Sequence, residues 1–274
     1  MSFRRNYNIT INYPTSACNK PRWGYESAPH PQLTTLIEEK RGNYEKLLNT
    51  FLEYSNDYST INIEEDINIP TEPFLKTAWL PGLDSLTLYC LLPIYKPSRY
   101  IEIGSGSSTK FARRSILNYH LNTELTSIDP EPRAEINAIC DTIVRKPIEL
   151  VDLSLFDRLE ANDIVFIDNS HRCFMNSDVT VTFLDIIPRL KSGVLVEIHD
   201  IFLPYDYPPH WAERYYSEQY LLAAYLLAKG QLFEILMPNA FISRDFSLKQ
   251  IIDPIFSNLK GVRTGGGSFW LIIN

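Results

Sequence analysis

Acidic and imidazole side chains follow several short apolar stretches of this sequence. The stretch VEIHDIF contains Glu197, His199 and Asp200, and another apolar stretch ends in Asp168, with His171 three residues later. Two carboxylates held close together repel, so one must take up a proton or a cation must lie between them. An imidazole titrates near neutral pH and can move a proton. These residue types therefore indicate proton transfer or cation binding.

A glycine turn and a later acid form a second group. The sequence YIEIGSGSST places Gly104 and Gly106 directly before a predicted helix, and Asp129 comes 23 residues after Gly106. Glycine lets the backbone approach a ligand closely, and a carboxylate at this spacing can accept hydrogen bonds from both ribose hydroxyls. Asp129 as a cap of the next helix is the alternative interpretation. Thr109 replaces the third glycine of the dinucleotide fingerprint, so the pattern favours a nucleoside over a pyrophosphate ligand.

The elements that must position these residues alternate between strands and helices. Strands are predicted at 99–103, 125–128, 141–145, 163–167, 194–198, 232–237 and 268–273. Helices are predicted at 107–119, 133–139, 152–160, 177–191 and 211–229. This alternation predicts an α/β fold, a doubly wound Rossmann-like sheet of about seven strands with helices on both faces. Ligands of such sheets bind beyond the carboxyl ends of the strands, so these residues are expected together on one exposed rim: Glu102, Asp129, Asp168, His199 and Asp200.

The first 74 residues differ from the rest of the chain. They are polar and rich in Asn, Tyr and Pro, with a broken apolar face over residues 33–54. We expect residues 1–74 to form a mainly helical and irregular N-terminal extension, which packs either on the main domain or on a partner in a homo-oligomer, and residues 75–274 to form the main domain. A helix is predicted to begin at Leu83 or Asp84, with Asp84 as its cap.

Composition limits the classes of function. The formal net charge is -7, which argues against general binding of nucleic-acid phosphates. The sequence has no run of about 20 apolar residues for a membrane span and no signal-peptide pattern at its N-terminus. Its four cysteines, Cys18, Cys90, Cys140 and Cys173, have neither a CxxC pair nor zinc-finger spacing. We therefore expect a cytoplasmic protein that binds small molecules and neither nucleic acid nor membranes.

Four motifs together resemble a known family. In chain order, YIEIGSGSST, SIDPEPR, DIVFIDNSH and VLVEIHDIFLPYDYP are similar to the class I S-adenosylmethionine-dependent methyltransferases. The resemblance extends over about residues 75–245 and is strongest to a bacterial branch of mostly unassigned substrate. That branch is similar to metal-dependent O-methyltransferases of sugars and natural products. The resemblance implies the fold and the cofactor S-adenosyl-L-methionine, but it does not specify the acceptor.

The resemblance also assigns residues to the cofactor. It implies that Glu102 supports the methionine end or the glycine turn, and that the turn itself, Gly104, Ser105 and Gly106, passes beneath the cofactor. Asp129 would bind the ribose hydroxyls, Pro130 would lie alongside the adenosine, and Asp168 would border the cofactor. A sulfonium cation suits such an acidic rim.

An alcohol acceptor needs a base or a metal, because a hydroxyl is a poor nucleophile near neutral pH. The family resemblance implies that Asp168, His199 and Asp200 bind Mg²⁺ or another divalent metal. The related enzymes usually have an Asp at the position of His199, so this sequence departs from their pattern. Without a metal, His171 or His199 is the natural base, with Asp168 as its partner. A core position for His199 and a loop position for His171 are the structural alternatives.

The aromatic sequence LPYDYPPHWAERYYSEQY, residues 203–220, suits a lid over a sugar or another planar substrate, although core packing is the commoner meaning of such spacing. The leading hypothesis is an S-adenosylmethionine-dependent methyltransferase that methylates an oxygen of a small polar acceptor such as a sugar, glycan precursor or natural product. The alternatives are a non-catalytic cofactor-binding or interaction protein on this scaffold, and metal-dependent chemistry of the cephalosporin-hydroxylase-like type.

Overall fold

The structure is a computed structural model that describes residues 20–274. Cys18 and the N-terminal stretch considered for targeting lie outside the described residues. The described chain contains one sheet with these strands: β1 Arg99–Ile103, β2 Glu124–Ile128, β3 Thr142–Val144, β4 Ile164–Ile167, β5 Leu195–Ile198, β6 Phe233–Pro238 and β7 Phe269–Ile273. The seven predicted strands are all present, within one residue of their predicted ends. Apolar runs bounded by turns were therefore a sufficient signal for them.

The strand order places the predicted rim at a natural ligand site. The sheet runs β3-β2-β1-β4-β5-β7-β6, with β1 to β5 parallel and β7 antiparallel to both of its neighbours. The chain reverses its direction of winding between β1 and β4, and ligands of α/β sheets bind beyond such a switch point. The predicted fold class is confirmed.

Helices surround this sheet. They are α1 Pro31–Glu38, α2 Arg41–Phe51, α3 Ser55–Tyr58, α4 Gly82–Tyr95, α5 Ser107–Asn118, α6 Asp178–Val181, α7 Glu218–Leu227, α8 Asn239–Ile242 and α9 Phe246–Phe256. Short 3-10 turns occupy Leu52–Tyr54, Asn137–Ile139, Ile148–Leu150, Leu153–Arg158, Ile187–Arg189 and Pro209–Arg214, and a π-helical turn occupies Thr182–Ile186. Helix α5 begins directly after the glycine turn, as predicted.

Several predicted helices are shorter or less regular than expected. Residues 133–139 contain only one 3-10 turn, and residues 152–160 form a 3-10 segment. Helical residues 178–189 pass from α to π to 3-10 geometry, because Pro188 has no N–H for a regular α-helical bond. The helix predicted at 211–229 is interrupted before α7, where Tyr215 has a left-handed backbone with φ of 54°.

The N-terminal helices are part of the main hydrophobic core. Tyr44, Leu48 and Phe51 follow helical spacing along α2, and all three are fully buried. Helix α2 packs against α9, and α1 packs against α7. The domain boundary near residue 75 and the homo-oligomer both stay predictions. Among residues 20–274, every helix is too short or too polar to cross a bilayer.

Candidate active site at the carboxyl ends of the strands

The glycine turn after β1 leaves room for a ligand on one side only. Gly104 has φ of 82°, and a Cβ atom there would lie 1.8 Å from the carbonyl oxygen of Asp168. Only glycine fits this position, because the backbone is left-handed and the neighbouring atom is main chain. A Cβ atom on Gly106 would meet nothing within 4 Å. The turn is therefore tightly packed below Gly104 and open above Gly106.

Glu102 lies beneath the turn, not on the exposed rim as the sequence suggested. Its side chain is fully buried in β1, where it accepts hydrogen bonds from the Thr109 hydroxyl and, at 3.4 Å, from the Tyr100 hydroxyl. The Thr109 hydroxyl in turn accepts from the Gly106 amide at 3.0 Å. Burial raises the pKa of Glu102 to about 8. Glu102 is thus connected through Thr109 to the backbone of the turn.

Asp129 is held at the end of β2 by two backbone amides. The Ser105 amide donates to one carboxylate oxygen at 2.9 Å, and the Glu131 amide donates to the other at 2.7 Å. Asp129 and Pro130 remain partly exposed. The structure therefore brings together the residues predicted for the cofactor on the β1–β2 side: Gly104, Ser105, Gly106, Asp129 and Pro130.

His171 lies among three carboxylates on the neighbouring part of the rim. Its Nε2 atom is 3.2 Å from Asp168 Oδ1 and 3.5 Å from Asp200 Oδ2, and its Nδ1 atom is 3.0 Å from Glu218 Oε2. Burial of the ring opposes protonation, but the hydrogen bonds to Asp168 and Glu218 outweigh it. The pKa of His171 is therefore raised well above its usual value. When protonated, His171 provides a cation between these carboxylates, which is one of the two arrangements expected from the sequence.

His171 is consequently ill suited to be the base that accepts the acceptor's proton. A charged imidazolium has no free lone pair, and both ring nitrogens of His171 already face carboxylates. The structure also shows that His171 is buried, unlike an ordinary loop histidine.

His199 is buried, and the expectation that it faces the open cleft is wrong. Its Nδ1 atom is 3.2 Å from both Glu197 Oε1 and Ser268 Oγ, whereas its Nε2 atom is 3.9 Å from Asp200 Oδ1. The chain before β7 covers this position, because the Ile201 amide bonds to the Gly267 carbonyl at 2.8 Å. His199 is therefore an interior residue behind Asp200, whose side chain keeps 18% of its exposure.

The predicted metal ligands do not fit a metal ion. Within residues 20–274, no group of three or more His, Cys, Asp or Glu side chains is arranged to hold one. His199 directs Nδ1 away from the cleft toward Glu197 and Ser268, while the His171 ring lies between Asp168 and Asp200. The donor atoms of Asp168, His199 and Asp200 therefore do not converge on one point.

Near the carboxylates and His171, two residues have left-handed backbones although neither is glycine. Asp200 has φ of 55° and His171 has φ of 59°. The His171 backbone is held by amides at the start of α7, since Ser217 and Glu218 donate to its carbonyl at 2.8 and 3.3 Å. Strained backbones of this kind persist only where the surroundings fix them, and they cluster at functional sites.

Glu218 was not among the predicted site residues, and the predicted role of Asp84 as a helix cap is wrong. Glu218 is fully buried at the start of α7, where its second oxygen accepts from Asn169 Nδ2 at 3.0 Å. Nothing local in its sequence separates it from an ordinary first-turn acid of a helix. Asp84 does not cap α4: it is buried inside the first turn and accepts from the amides of Gly267 and Ser268 at 2.7 and 2.9 Å. It therefore holds the chain before β7 beside Asp200.

One family of known proteins matches the part of the chain that contains this site. Residues 101–201 match a family model described as a methyltransferase domain, which spans the strands from β1 to β5. The predicted resemblance to methyltransferases is confirmed over that range. No curated protein matches the chain.

Solved structures of methyltransferases overlap the chain at low identity. A Podospora anserina methyltransferase bound to SAH is 14% identical, with 82% of this chain and 88% of that chain covered and a TM-score of 0.43. The plantazolicin methyltransferase BpumL, in complex with SAH, is 14% identical over 89% and 99% of the two chains, with a TM-score of 0.45. A Bacillus cereus O-methyltransferase in complex with SAH is 13% identical over 83% and 90%, with a TM-score of 0.37. Overlaps of this quality do not identify a shared substrate.

Proposed function

The chain contains a methyltransferase domain over residues 101–201, and from that premise we propose that it transfers the methyl group of S-adenosyl-L-methionine to an oxygen atom of a small polar acceptor. One observation carries the proposal. The glycine turn, which suits a nucleoside, follows β1. Two carboxylates in different environments, Asp168 and Asp200, follow the neighbouring strands β4 and β5 of the same sheet. The acceptor class covers sugars, glycan precursors and natural products that bear a hydroxyl group.

The residues around the glycine turn fit the cofactor. Space is open above Gly106, and two amides orient the Asp129 carboxylate, which has oxygen lone pairs left for ribose hydroxyls. Pro130 provides an apolar surface beside the turn, and Glu102 supports the turn from below through Thr109. When bound, S-adenosylmethionine supplies an electrophilic methyl group on a sulfonium centre.

Asp168 and Asp200 have environments that separate their acid strengths. Burial would raise the pKa of Asp168, but the His171 hydrogen bond and the nearby imidazoles outweigh it and lower that pKa. Burial raises the pKa of Asp200, and its attraction to His199 and His171 does not offset that effect. Paired carboxylates with diverging pKa values commonly have different catalytic roles.

We assign the proton transfer to Asp200. Asp168 stays ionised as the counterion of His171, whereas Asp200 is the more basic carboxylate because its pKa is raised, and its side chain keeps 18% of its exposure. A hydroxyl of the acceptor would donate its proton to Asp200 as its oxygen attacks the methyl group. His171 keeps Asp168 and Asp200 close together by lying between them, and Glu218 fixes the ring of His171.

Calorimetric titration tests the cofactor half of this proposal. Ligand-free protein should release heat on binding S-adenosylhomocysteine, and Asp129→Ala should weaken binding about 100-fold through loss of charge-assisted hydrogen bonds. The exposed helix residue Asp253 provides the matched control, since Asp253→Ala should bind like the unaltered chain. Absence of binding in the unaltered protein would contradict the proposal.

A transfer assay with methyl-labelled cofactor tests the reaction. We expect label on alcohols of an acceptor panel and not on the corresponding amines. Cofactor binding without transfer to any member of a broad panel would favour the non-catalytic alternative. Loss of the reaction on addition of a chelator would favour metal-dependent chemistry.

A further inference from the structure

An aromatic pocket lies beside the half of the rim that contains His171. Its volume is about 200 Å³, and its walls come from residues 206–220 together with Lys20 and Pro21. Five of the lining side chains are aromatic: Tyr207, Trp211, Tyr215, Tyr216 and Tyr220. Pockets for drug-sized ligands usually have about 300–1,000 Å³. This aromatic pocket therefore suits a single ring.

The walls of the aromatic pocket are fixed by their own contacts. The buried Asp206 carboxylate accepts hydrogen bonds from the Tyr220 hydroxyl and, at 2.9 Å, from the Arg22 amide. Tyr216 packs edge-to-face against Trp211 and Tyr207, with ring centroids 5.6 and 5.8 Å apart. Such prior order lowers the entropy cost of binding, because few side chains need to be immobilised by the ligand.

Tyr216 connects the aromatic pocket to the acid–imidazole group, which consists of Asp168, His171, Asp200 and Glu218. Its ring centroid is 4.6 Å from that of His171, whose Nε2 atom is 3.2 Å from Asp168. The wall of the pocket at Tyr216 thus contacts His171, which in turn faces the carboxylates.

Two guanidinium groups next to the aromatic pocket have no acidic partner within residues 20–274. The Arg214 guanidinium lies 3.9 Å from the Trp211 ring centroid and 5.6 Å from that of Tyr216, and it makes no hydrogen bond or ion pair in that range. The Arg172 guanidinium lies 5.0 Å from the Tyr216 centroid and donates only to the carbonyls of Arg214 and Ser170. Two guanidinium groups thus lie beside the aromatic walls of the pocket, whose lining also contains the Asp206 carboxylate.

We propose that the aromatic pocket binds the ring of an anionic acceptor, whose carboxylate or phosphate group is recognised by Arg214 and Arg172. The inference rests on the proposed function and narrows its acceptor to an anionic single-ring alcohol. Tyrosine and tryptophan faces accept the flat face of a sugar or an aromatic ring. A guanidinium offers paired donors that match a carboxylate or phosphate.

Ligand-observed NMR titration with matched probes tests this inference. Glucuronate and glucose 6-phosphate represent anionic sugars, 4-hydroxybenzoate represents an anionic aromatic ring, and methyl glucoside and phenol are the neutral counterparts. At least one anionic probe should bind at least tenfold more tightly than its neutral counterpart. The ring of the probe that binds then shows whether the acceptor is a sugar or an aromatic compound. Equal affinities within each pair, or no binding by any probe, would overturn the inference.

Variants at two neighbouring positions locate the binding. Arg214→Gln should weaken the anionic probe about tenfold and leave the neutral counterpart unchanged, while Arg214→Lys should recover part of the loss. Glu213→Gln alters the adjacent exposed residue and should leave the anionic probe unaffected. Thermal unfolding of each variant verifies that the fold is retained. Anionic binding that survives Arg214→Gln unchanged would contradict the assignment.

These titrations separate the inference from the proposed function, because the probes are added without cofactor. Intact probe binding in a protein that transfers no methyl group would contradict the proposed function alone. Methyl transfer to a neutral acceptor that the anionic probes do not inhibit would contradict the inference alone.

Discussion

The candidate site has two halves, named here by their proposed roles. The cofactor half surrounds the glycine turn (Glu102, Gly104, Ser105, Gly106 and Asp129), and the acceptor half, or acid–imidazole half, contains Asp168, His171, Asp200 and Glu218. Hydrogen bonds in the cofactor half join residues that are close in sequence, whereas those in the acceptor half join residues that are far apart. Around the glycine turn, the bonds that fix Asp129 and Glu102 join residues separated by 24 positions or fewer. In the acid–imidazole half, His171 and Glu218 are separated by 47 positions, and Asp84 bonds to an amide 183 positions away.

This difference indicates how the two halves can vary. The cofactor half is assembled by one strand-turn-helix unit and the strand after it, so its local sequence specifies its shape. The acceptor half depends on segments around residues 84, 218 and 267 that meet only in the folded protein. Changes in the acceptor half should therefore alter the reaction while leaving cofactor binding intact.

Asp200→Asn should have the largest effect on the reaction, and it should change catalysis without changing cofactor binding. Asn tolerates the left-handed backbone but cannot accept the proton, so kcat should fall about 10²–10⁴-fold. Affinity for S-adenosylhomocysteine, measured by calorimetry, should stay within about twofold. Asp185→Asn, at an exposed helical position, is the control. A variant with normal kcat would refute Asp200 as the base.

Gly104→Ala should disturb both halves of the site, because Gly104 in the glycine turn packs directly against Asp168. The added Cβ would collide with the Asp168 carbonyl, and the left-handed backbone would be strained further, so the free energy of unfolding should fall by about 3 kcal/mol. Chemical denaturation measures this loss. Gly42→Ala, in α2 with open space around it, should be neutral or slightly stabilising. Equal stability of the two variants would show that the turn is not tightly packed.

Glu218→Gln should disturb only the acceptor half. Loss of one carboxylate partner should lower the pKa of His171 and destabilise the fold by about 1–3 kcal/mol. NMR titration of the His171 ring and denaturation measure the two effects, with the exposed Glu135→Gln as control. A changed affinity for the cofactor product would show that the halves are coupled.

Glu102→Gln should have the smallest effect and should appear as a change in pH dependence. Burial raises the pKa of Glu102 from 4.5 to about 8, so the folded state holds this proton more strongly than the unfolded state. The contribution of this proton to the free energy of unfolding is complete below about pH 4.5 and is lost as the pH rises through about 8. Between pH 7 and pH 9 the unaltered chain should lose roughly 1 kcal/mol more stability than the variant. Parallel denaturation profiles would contradict the assigned shift.

Local patterns predicted the strands and the glycine turn because both depend on short stretches of sequence. The order of the strands did not follow from them, since β7 pairs between β5 and β6 through contacts across the fold. Irregular helical segments were also missed where Pro188 or the left-handed Tyr215 interrupts regular hydrogen bonding.

The acid–imidazole half was predicted as a set of residues but not as an arrangement. Asp168, His171 and Asp200 do come together, because they follow adjacent parallel strands. His199 is buried behind the chain at Gly267 and Ser268, and its Nδ1 atom contacts the Ser268 hydroxyl. Glu218 comes from the start of a helix, and its sequence gives no distinctive signal. The catalytic and cofactor roles of these residues stay predictions.

The insertion of β7 between β5 and β6 has a consequence for protein synthesis. A ribosome-bound chain that has emerged only through β6 leaves the edges of β5 and β6 unpaired, and Asp84 lacks its partners at Gly267 and Ser268. Unpaired edges are prone to association with other chains. Completion of the acceptor half is therefore delayed until residues 265–273 have left the ribosome, well after the glycine turn can form.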